Sequence, residues 1–355
     1  MAVGTEAVTP TAKRRVRGLP LSLRQVATLA GVLILVGFLA LVPTLNFTQD
    51  NVFFWNEILI FVLFASSLNL LIGYTGMVSF GHAAYYGAGV YAVGVMVSKW
   101  GQDMMLVGLL FGTAVGGLLA LVVGALIVRA AGLAFAILTL AFGQLAFTFV
   151  YQRNYLGGEN GLAGILRGTI GPLDLGPLNN YYYFTLVIVF IAMMGIWLVV
   201  NSPLGLAMKS IREDAGRTQF LGMRVRLYKL AVFTLAGTLA GLAGSLRAYH
   251  NLFATPEELG LIRSAEPIIM SIIGGMGTFF GPVLGAIGYM WLENWLQAYT
   301  STWIMWIGIL LVAVILVFPG GLLGGLSRLR QVLRSRRPRG GWRLPWQKLH
   351  SDSMD

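Results

Sequence analysis

The sequence has no cysteine, 3 histidines and only 14 acidic residues in a chain of 355. Without cysteine there is no disulfide framework, no thiolate metal site and no thiol nucleophile, and scattered histidines do not make an imidazole metal cluster. Charged residues are also scarce, 11% of the chain against roughly 25% in a soluble domain. A G-x-x-x-x-G-K-[ST] phosphate loop is absent, so the chain does not itself hydrolyse ATP in that way and binds no cofactor of its own. Energy for uphill work must come from a partner or an ion gradient.

What the chain has instead is apolar sequence: 57% of residues are hydrophobic and the mean hydropathy is +0.75. At about 20 apolar residues per crossing, spans are expected near 25–43, 52–73, 83–98, 104–128, 132–151, 182–200 and 230–248. The apolar stretch from Ala265 to Ala298 is too long for one crossing and is cut by "GGMGTFFGP", which predicts a hairpin of two shorter helices before a last span at 303–318. The reading is an all-α polytopic membrane protein of 8 to 10 transmembrane helices with Gly-interrupted segments. The segment Gln25–Val42 is too long for a signal peptide's apolar core and has no small-x-small cleavage pattern, so it reads as a retained anchor.

The net charge of +11 sits where membrane topology puts it. Five basic residues precede the first span, six lie in the 201–229 loop and eight follow Ser327. The positive-inside rule accounts for all of these and excludes a nucleic-acid role, with both termini and that loop in the cytoplasm. The expected organisation is a basic N-terminal tail (1–24), a permease-like membrane domain (25–320) and a basic C-terminal tail (321–355) whose arginines, with Trp342 and Trp346, suit anionic membrane lipid. External segments then include 152–181, rich in turn residues, and 249–264, where Thr255-Pro256-Glu257-Glu258 starts a short helix.

Two apolar segments contain their own interruptions. The first, "LNLLIGYTGMVSFGHAAYYGAGVY" (68–91), breaks over Gly73, Tyr74, Thr75, Gly76, Ser79 and His82; the second carries Gly274, Gly275 and Gly277. Paired breaks of this kind mark the pathway or gate of transporters built from repeats. Both fall toward the cytoplasmic side, so a hinge or gate is at least as good a reading as a midplane site. Other small-xxx-small spacings, such as Gly112 and Gly116, read as helix packing.

The loop "NSPLGLAMKSIREDAGRTQFLGMRVRLYKL" (201–230) predicts two short helices. Ser202 caps the first, Pro203 starts it, and Leu204, Ala207, Met208 and Ile211 form an apolar stripe offered to a cytosolic partner, with Lys209, Arg212, Glu213 and Asp214 facing elsewhere. Gly216 and Gly222 are expected to turn the chain.

The blocks "YTGMVSFGHAAYYGAGVYAVG", "AILTLAFGQ", "GGENGL", "SPLGLAMKSIREDAGRTQFLGM" and "GGMGTFFGPVLGA", in this order over roughly 50–320, resemble the M-type permease subunit of bacterial branched-chain (hydrophobic) amino acid ABC importers. The resemblance implies the broken-helix architecture of type II importer permeases. It also implies an inner-membrane subunit paired with an H-type permease, two cytosolic ATPases that use ATP and magnesium, and a periplasmic binding protein. By the same resemblance Arg212, Glu213, Asp214, Leu221 and Gly222 lie in the segment that couples to the ATPases. Related permeases import urea, short amides or aromatic acids, so the cargo stays open; an ion-coupled secondary transporter and a membrane-embedded enzyme are the other classes.

Among single residues, His82 is either a pathway hydrogen-bonding group or a packed histidine. Asn69 and Gln144, amides on apolar helices, either line a pathway or bond across helices. Glu266 and Glu293 are expected near external helix ends, solvated or paired with Arg263, while Arg247 and Arg263 flank the external loop as contacts for a binding protein or as solvated charges.

Overall fold

A computed structural model describes Pro43 and residues 49–101, 104–170 and 173–317. The expected first span and both basic tails lie outside the described residues. The chain divides into a unit of residues 1–47 and one of 48–355; the second is the helical bundle described below.

The bundle is built around α1 (Gln49–Asn69), which continues as a π-helical turn over Leu70–Thr75. Its whole apolar window is buried, and it carries Asn56, Ser66, Ser67 and Asn69, polar side chains that pack inside the bundle and not against lipid. Then come α2 (Ala83–Ser98), α3 (Met105–Ile127) and α4 (Gly132–Tyr151), followed by an outer segment with two 3₁₀ turns and the short strands β1 (Leu162–Ala163), β2 (Thr169–Ile170) and β3 (Leu173–Asp174). After α5 (Leu178–Val200) come α6 (Pro203–Glu213), α7 (Ala215–Phe220) and the long α8 (Val225–Asn251). The described residues end with β4 (Phe253–Ala254), a 3₁₀ turn at Pro256–Leu259, α9 (Leu261–Gly274), α10 (Gly281–Tyr299) and α11 (Trp303–Val317). Every expected span among the described residues is a helix, and the 265–298 region is the expected hairpin. The 14 residues of α9 rise about 21 Å, short of the ~30 Å hydrocarbon core.

Helices α2, α3 and α8 form the tightest group. A Cβ built on Gly116 of α3 lies 2.7 Å from the Cα of Gly241 on α8, so the two backbones touch as small residues allow. Helices α4 and α5 sit at the periphery, with Leu133, Leu145, Ile191 and Leu198 among the large apolar side chains they expose, as lipid-facing helices do.

At one end, β1 pairs antiparallel with β4 through Leu162–Ala254 and Ala163–Phe253. Arg167 closes this end of α8: its Nε donates to the Tyr249 carbonyl at 2.8 Å and its Nη2 to that of His250 at 3.0 Å, filling acceptors a helix C-terminus leaves open. The turn-rich reading of 152–181 holds, with two 3₁₀ turns and three two-residue strands.

The 201–230 loop differs from expectation in two respects. Its stripe does not face outward: Ala207, Met208 and Ile211 are buried against the chain's own π-turn, α8 and α5. What α6, α7 and the following turn expose instead is Leu206 (67%), Phe220 (94%) and Leu221 (82%). Nor does Gly216 turn the chain. It lies inside α7, and the bend falls at Asp214, extended at φ −159°, whose Oδ1 caps α7 by accepting from the Arg217 N–H at 3.0 Å. Gly222, at φ 84°, does turn. Ser202 caps α6 as expected, accepting from the Leu204 N–H at 3.1 Å.

Candidate functional site

A helix broken inside apolar surroundings must find new partners for its freed backbone groups, each otherwise costing several kcal/mol. The first break does so locally and with help from two other helices. In the π-turn Thr75 Oγ1 donates to the Leu70 carbonyl at 2.8 Å, and Gly76 ends the turn in the left-handed region at φ 74°. Beyond it, the Phe80 N–H donates to Thr139 Oγ1 of α4 at 3.1 Å, and the Ala83 N–H to Ser264 Oγ of α9 at 3.1 Å. Thr139 and Ser264 carry no signal in the sequence beyond being hydroxyls in apolar helices.

The second break, Gly275–Phe280, is locked by Thr278, whose Oγ1 donates to the Gly275 carbonyl at 2.8 Å and accepts from the Gly281 N–H at 3.0 Å. Asn69 ties the two breaks together. From the last α-helical position before the π-turn its Nδ2 donates to the Thr278 carbonyl at 2.9 Å, and its Oδ1 accepts from the Gly277 N–H at 3.0 Å. The side-chain amide thus pairs with backbone as another backbone amide would. A third element joins here: Arg212 of α6 donates through Nη1 to the Gly73 carbonyl, and Lys209 lies 6.0 Å from the Tyr74 ring centroid, a cation–π contact. Gly277, at φ 77°, is the crossing point; a Cβ there would lie 2.6 Å from Arg212 Nη1 and 2.8 Å from the Gly73 oxygen.

The structure therefore brings together Asn69, Gly73, Tyr74, Thr75, Gly76, Gly274, Gly275, Gly277, Lys209 and Arg212. His82 lies apart, fully buried and stacked on Phe64. Ser67 Oγ donates to the Phe64 carbonyl at 2.7 Å, so the 2.9 Å contact between Ser67 Oγ and His82 Nε2 is donated by the ring. Ser79 is also buried, without a hydrogen bond from its hydroxyl among the described residues. Gln144 is exposed on α4, and Glu213, Leu221 and Gly222 are exposed at the α6–α7 surface. Asp214 is spent on its cap and on an ion pair with Arg217 at 3.0 Å.

At the opposite end lies a network of which the sequence reading offered only the Arg263–Glu266 pair. Arg247 and Arg263 are neither solvated nor free. Arg247 pairs with Glu57 and, at 3.2 Å, with Glu258; Arg263 pairs with Glu258 at 2.9 Å and Glu266 at 2.8 Å. The network joins α1, α8, the 3₁₀ turn and α9 beside a cavity of about 440 Å³ that Glu293 also lines. The low overall charge does not mean an uncharged interior. Glu57, alone in the apolar run "FFWNEILIFVLF", was the available signal, since a lone charge in a span needs a partner.

The family described as branched-chain amino acid transport system / permease component matches residues 51–319. The chain is 25% identical over 293 residues to the high-affinity branched-chain amino acid transport system permease protein LivM of Escherichia coli, covering 75% of this chain and 68% of that protein. It is 25% identical to LivM of Salmonella typhimurium over 310 residues, 79% and 72% of the two chains. To the autoinducer 2 import system permease protein LsrC of Enterobacter sp. it is 26% identical over 329 residues, 88% and 92% of the two chains. No solved structure matches the chain. The match spans the bundle from its buried central helix to α11, and the chain belongs to this family of ABC-type membrane permease subunits.

Proposed function

We propose that this permease subunit moves branched-chain or other hydrophobic amino acids from periplasm to cytoplasm across a bacterial inner membrane. It does so with an H-type permease partner, two cytosolic ATPases that bind and hydrolyse ATP, and a periplasmic binding protein. The single observation that carries the mechanism is the junction. Helix α6, in the segment that docks the ATPases, is hydrogen-bonded through Arg212 to Gly73 in the first break, and Asn69 links that break to the second. Closure of the ATPases displaces α6; Arg212 passes the displacement to Gly73 in the π-turn, and the two non-helical stretches, 76–82 after that turn and 275–280 before α10, absorb it together. Alternating access follows as a population shift between two arrangements of the bundle.

In this orientation α6 and α7 face the cytoplasm, as do both termini, and β1, β4 and the Arg167 cap face the periplasm. Phe220 and Leu221, the most exposed apolar side chains of the docking segment, are the contacts offered to the ATPase. The amino-acid cargo is favoured by the two LivM relatives; urea, short amides or aromatic acids are the other cargoes, and the LsrC relative shows that a similar chain serves a different import system. The test is reconstitution with an H-type permease, ATPases and a binding protein from the same organism, followed by leucine uptake. ATP-dependent uptake that survives dissipation of the proton gradient supports the reading. Uptake that collapses with the gradient and persists without ATP overturns it in favour of an ion-coupled carrier.

A further inference from the structure

The charges at the two ends of the bundle are handled differently. Around Arg247 and Arg263 each guanidinium meets carboxylates of the same chain. At the α6–α7 end, Arg129 in the turn after α3, Arg224 and Arg226 at the start of α8, and Lys229 one turn on converge on a cavity of about 580 Å³. Its other wall is α7, through Gln219, and no acidic residue lines it. The side chains of these four cations make no ion pair or hydrogen bond among the described residues. The N-terminus of α8, whose cap position Arg224 supplies no side-chain acceptor, adds its partial positive charge to the same wall. Four like charges around one concavity repel one another unless an anion joins them.

We propose that this cavity binds the phosphate headgroup of an anionic phospholipid in the cytoplasmic leaflet. Its volume is in the range of small-ligand pockets, and phosphate matches the convergence of arginines. The lipid source is chosen by what adjoins the cavity. The outer face of α3 leading to Arg129 exposes Leu118 (62%), Val122 (54%) and Leu126 (62%), and α4 leaves the same turn with Leu133 (75%) exposed. Acyl chains lie along that apolar face of α3 and α4 while the headgroup occupies the cavity. Basic recesses between transmembrane helices on the cytoplasmic side are suited to this role. The assignment rests on the orientation given above, though not on the cargo.

The test uses the full-length chain purified alone, without ATPases or cargo, so its outcome is separate from that of the uptake assay. Native mass spectrometry during titration with phosphatidylglycerol or phosphatidylcholine should show one saturable phosphatidylglycerol, retained roughly tenfold or more tightly than phosphatidylcholine and weakened by added salt. R129Q/R224Q/R226Q should lose the preference, R129K/R224K/R226K should keep most of it, and R153Q on the other side should be unaffected. Equal retention of the two lipids, or a preference unaffected by salt, overturns the proposal on the unaltered chain even if the glutamine variant fails to fold. Displacement of phosphatidylglycerol by inorganic phosphate at equal concentration overturns the lipid source in favour of a soluble phosphate. A glutamine variant that keeps phosphatidylglycerol yet no longer co-purifies with the ATPases assigns the cations to an acidic protein surface instead.

Discussion

Asn69 shows how much one amide can hold. It is 2% exposed, and both of its hydrogen bonds go to backbone of the second break. In Asn69→Leu the Gly277 N–H and the Thr278 carbonyl lose their partner, at about 1–3 kcal/mol for each buried group left unpaired. The variant should show a clearly lowered unfolding temperature in detergent, and uptake should fall with it. Gly277→Ala asks a different question. Its Cβ enters the space between Arg212 and Gly73 at a backbone angle of φ 77°, which L side chains rarely adopt. We expect normal insertion with uptake reduced at least tenfold while ATP hydrolysis continues, an uncoupled transporter; a variant with unchanged coupling would remove the junction from the mechanism.

At the scale of elements, the proposed docking role gives the α6–α7 segment two separable jobs, capping and contact. Asp214 is a helix cap, and Asn caps as well as Asp, while Ala costs about 1 kcal/mol. Asp214→Asn should therefore leave ATPase co-purification intact. Phe220→Ser with Leu221→Ser should abolish it without lowering the stability of the permease, because both side chains are exposed in the isolated chain. Retained binding in that double variant would move the docking surface elsewhere. At the other end, Arg247→Met leaves Glu57 without its counter-charge and Glu258 with one of two, a loss of about 3–5 kcal/mol for a buried pair. Adding Glu57→Gln and Glu258→Gln should restore much of the thermal stability, provided the network acts through charge balance.

These elements also show what was legible in the sequence. Span positions were, because about 20 apolar residues are needed to cross hydrocarbon: 132–151 and 83–98 are helices at the expected residues, and the 265–298 segment is a hairpin. Both breaks were visible as Gly clustered with Thr, Ser or Pro. The facing of α6 was not, because an amphipathic helix buries its apolar stripe against whatever lies nearest, and periodicity does not say whether that is a partner or the chain itself. Beyond the Arg263–Glu266 pair, the network through Arg247, Glu57 and Glu258 was not legible, for a similar reason. Charges near helix ends are solvated or paired according to the tertiary fold, and Glu57 lies 190 residues from Arg247. Asn69 was singled out by type, but its partner came from a contact across 209 residues.

For the whole molecule the deciding quantity is orientation, since the roles of the junction, the docking surface and the basic cavity all depend on which end faces the ATPases. The absence of cysteine makes the chain ready for single-cysteine mapping with a membrane-impermeant thiol reagent. Leu166, exposed in the outer segment between β1 and β2, and Leu221, exposed after α7, lie at the two ends of the bundle. In intact cells with a permeabilised outer membrane, Leu166→Cys should label and Leu221→Cys should not; in inside-out vesicles the pattern should reverse. Val78, 37% exposed beside buried Ser79, adds a test of the break itself. Its cysteine should label from the cytoplasmic side, and more slowly when the ATPases are present, because it lines the small cavity beneath Arg212 and Ile211 that closes if α6 is pressed against the bundle. Labelling of Leu221→Cys from outside would invert the protein, and α6 would then be a poor site for an ATPase to push.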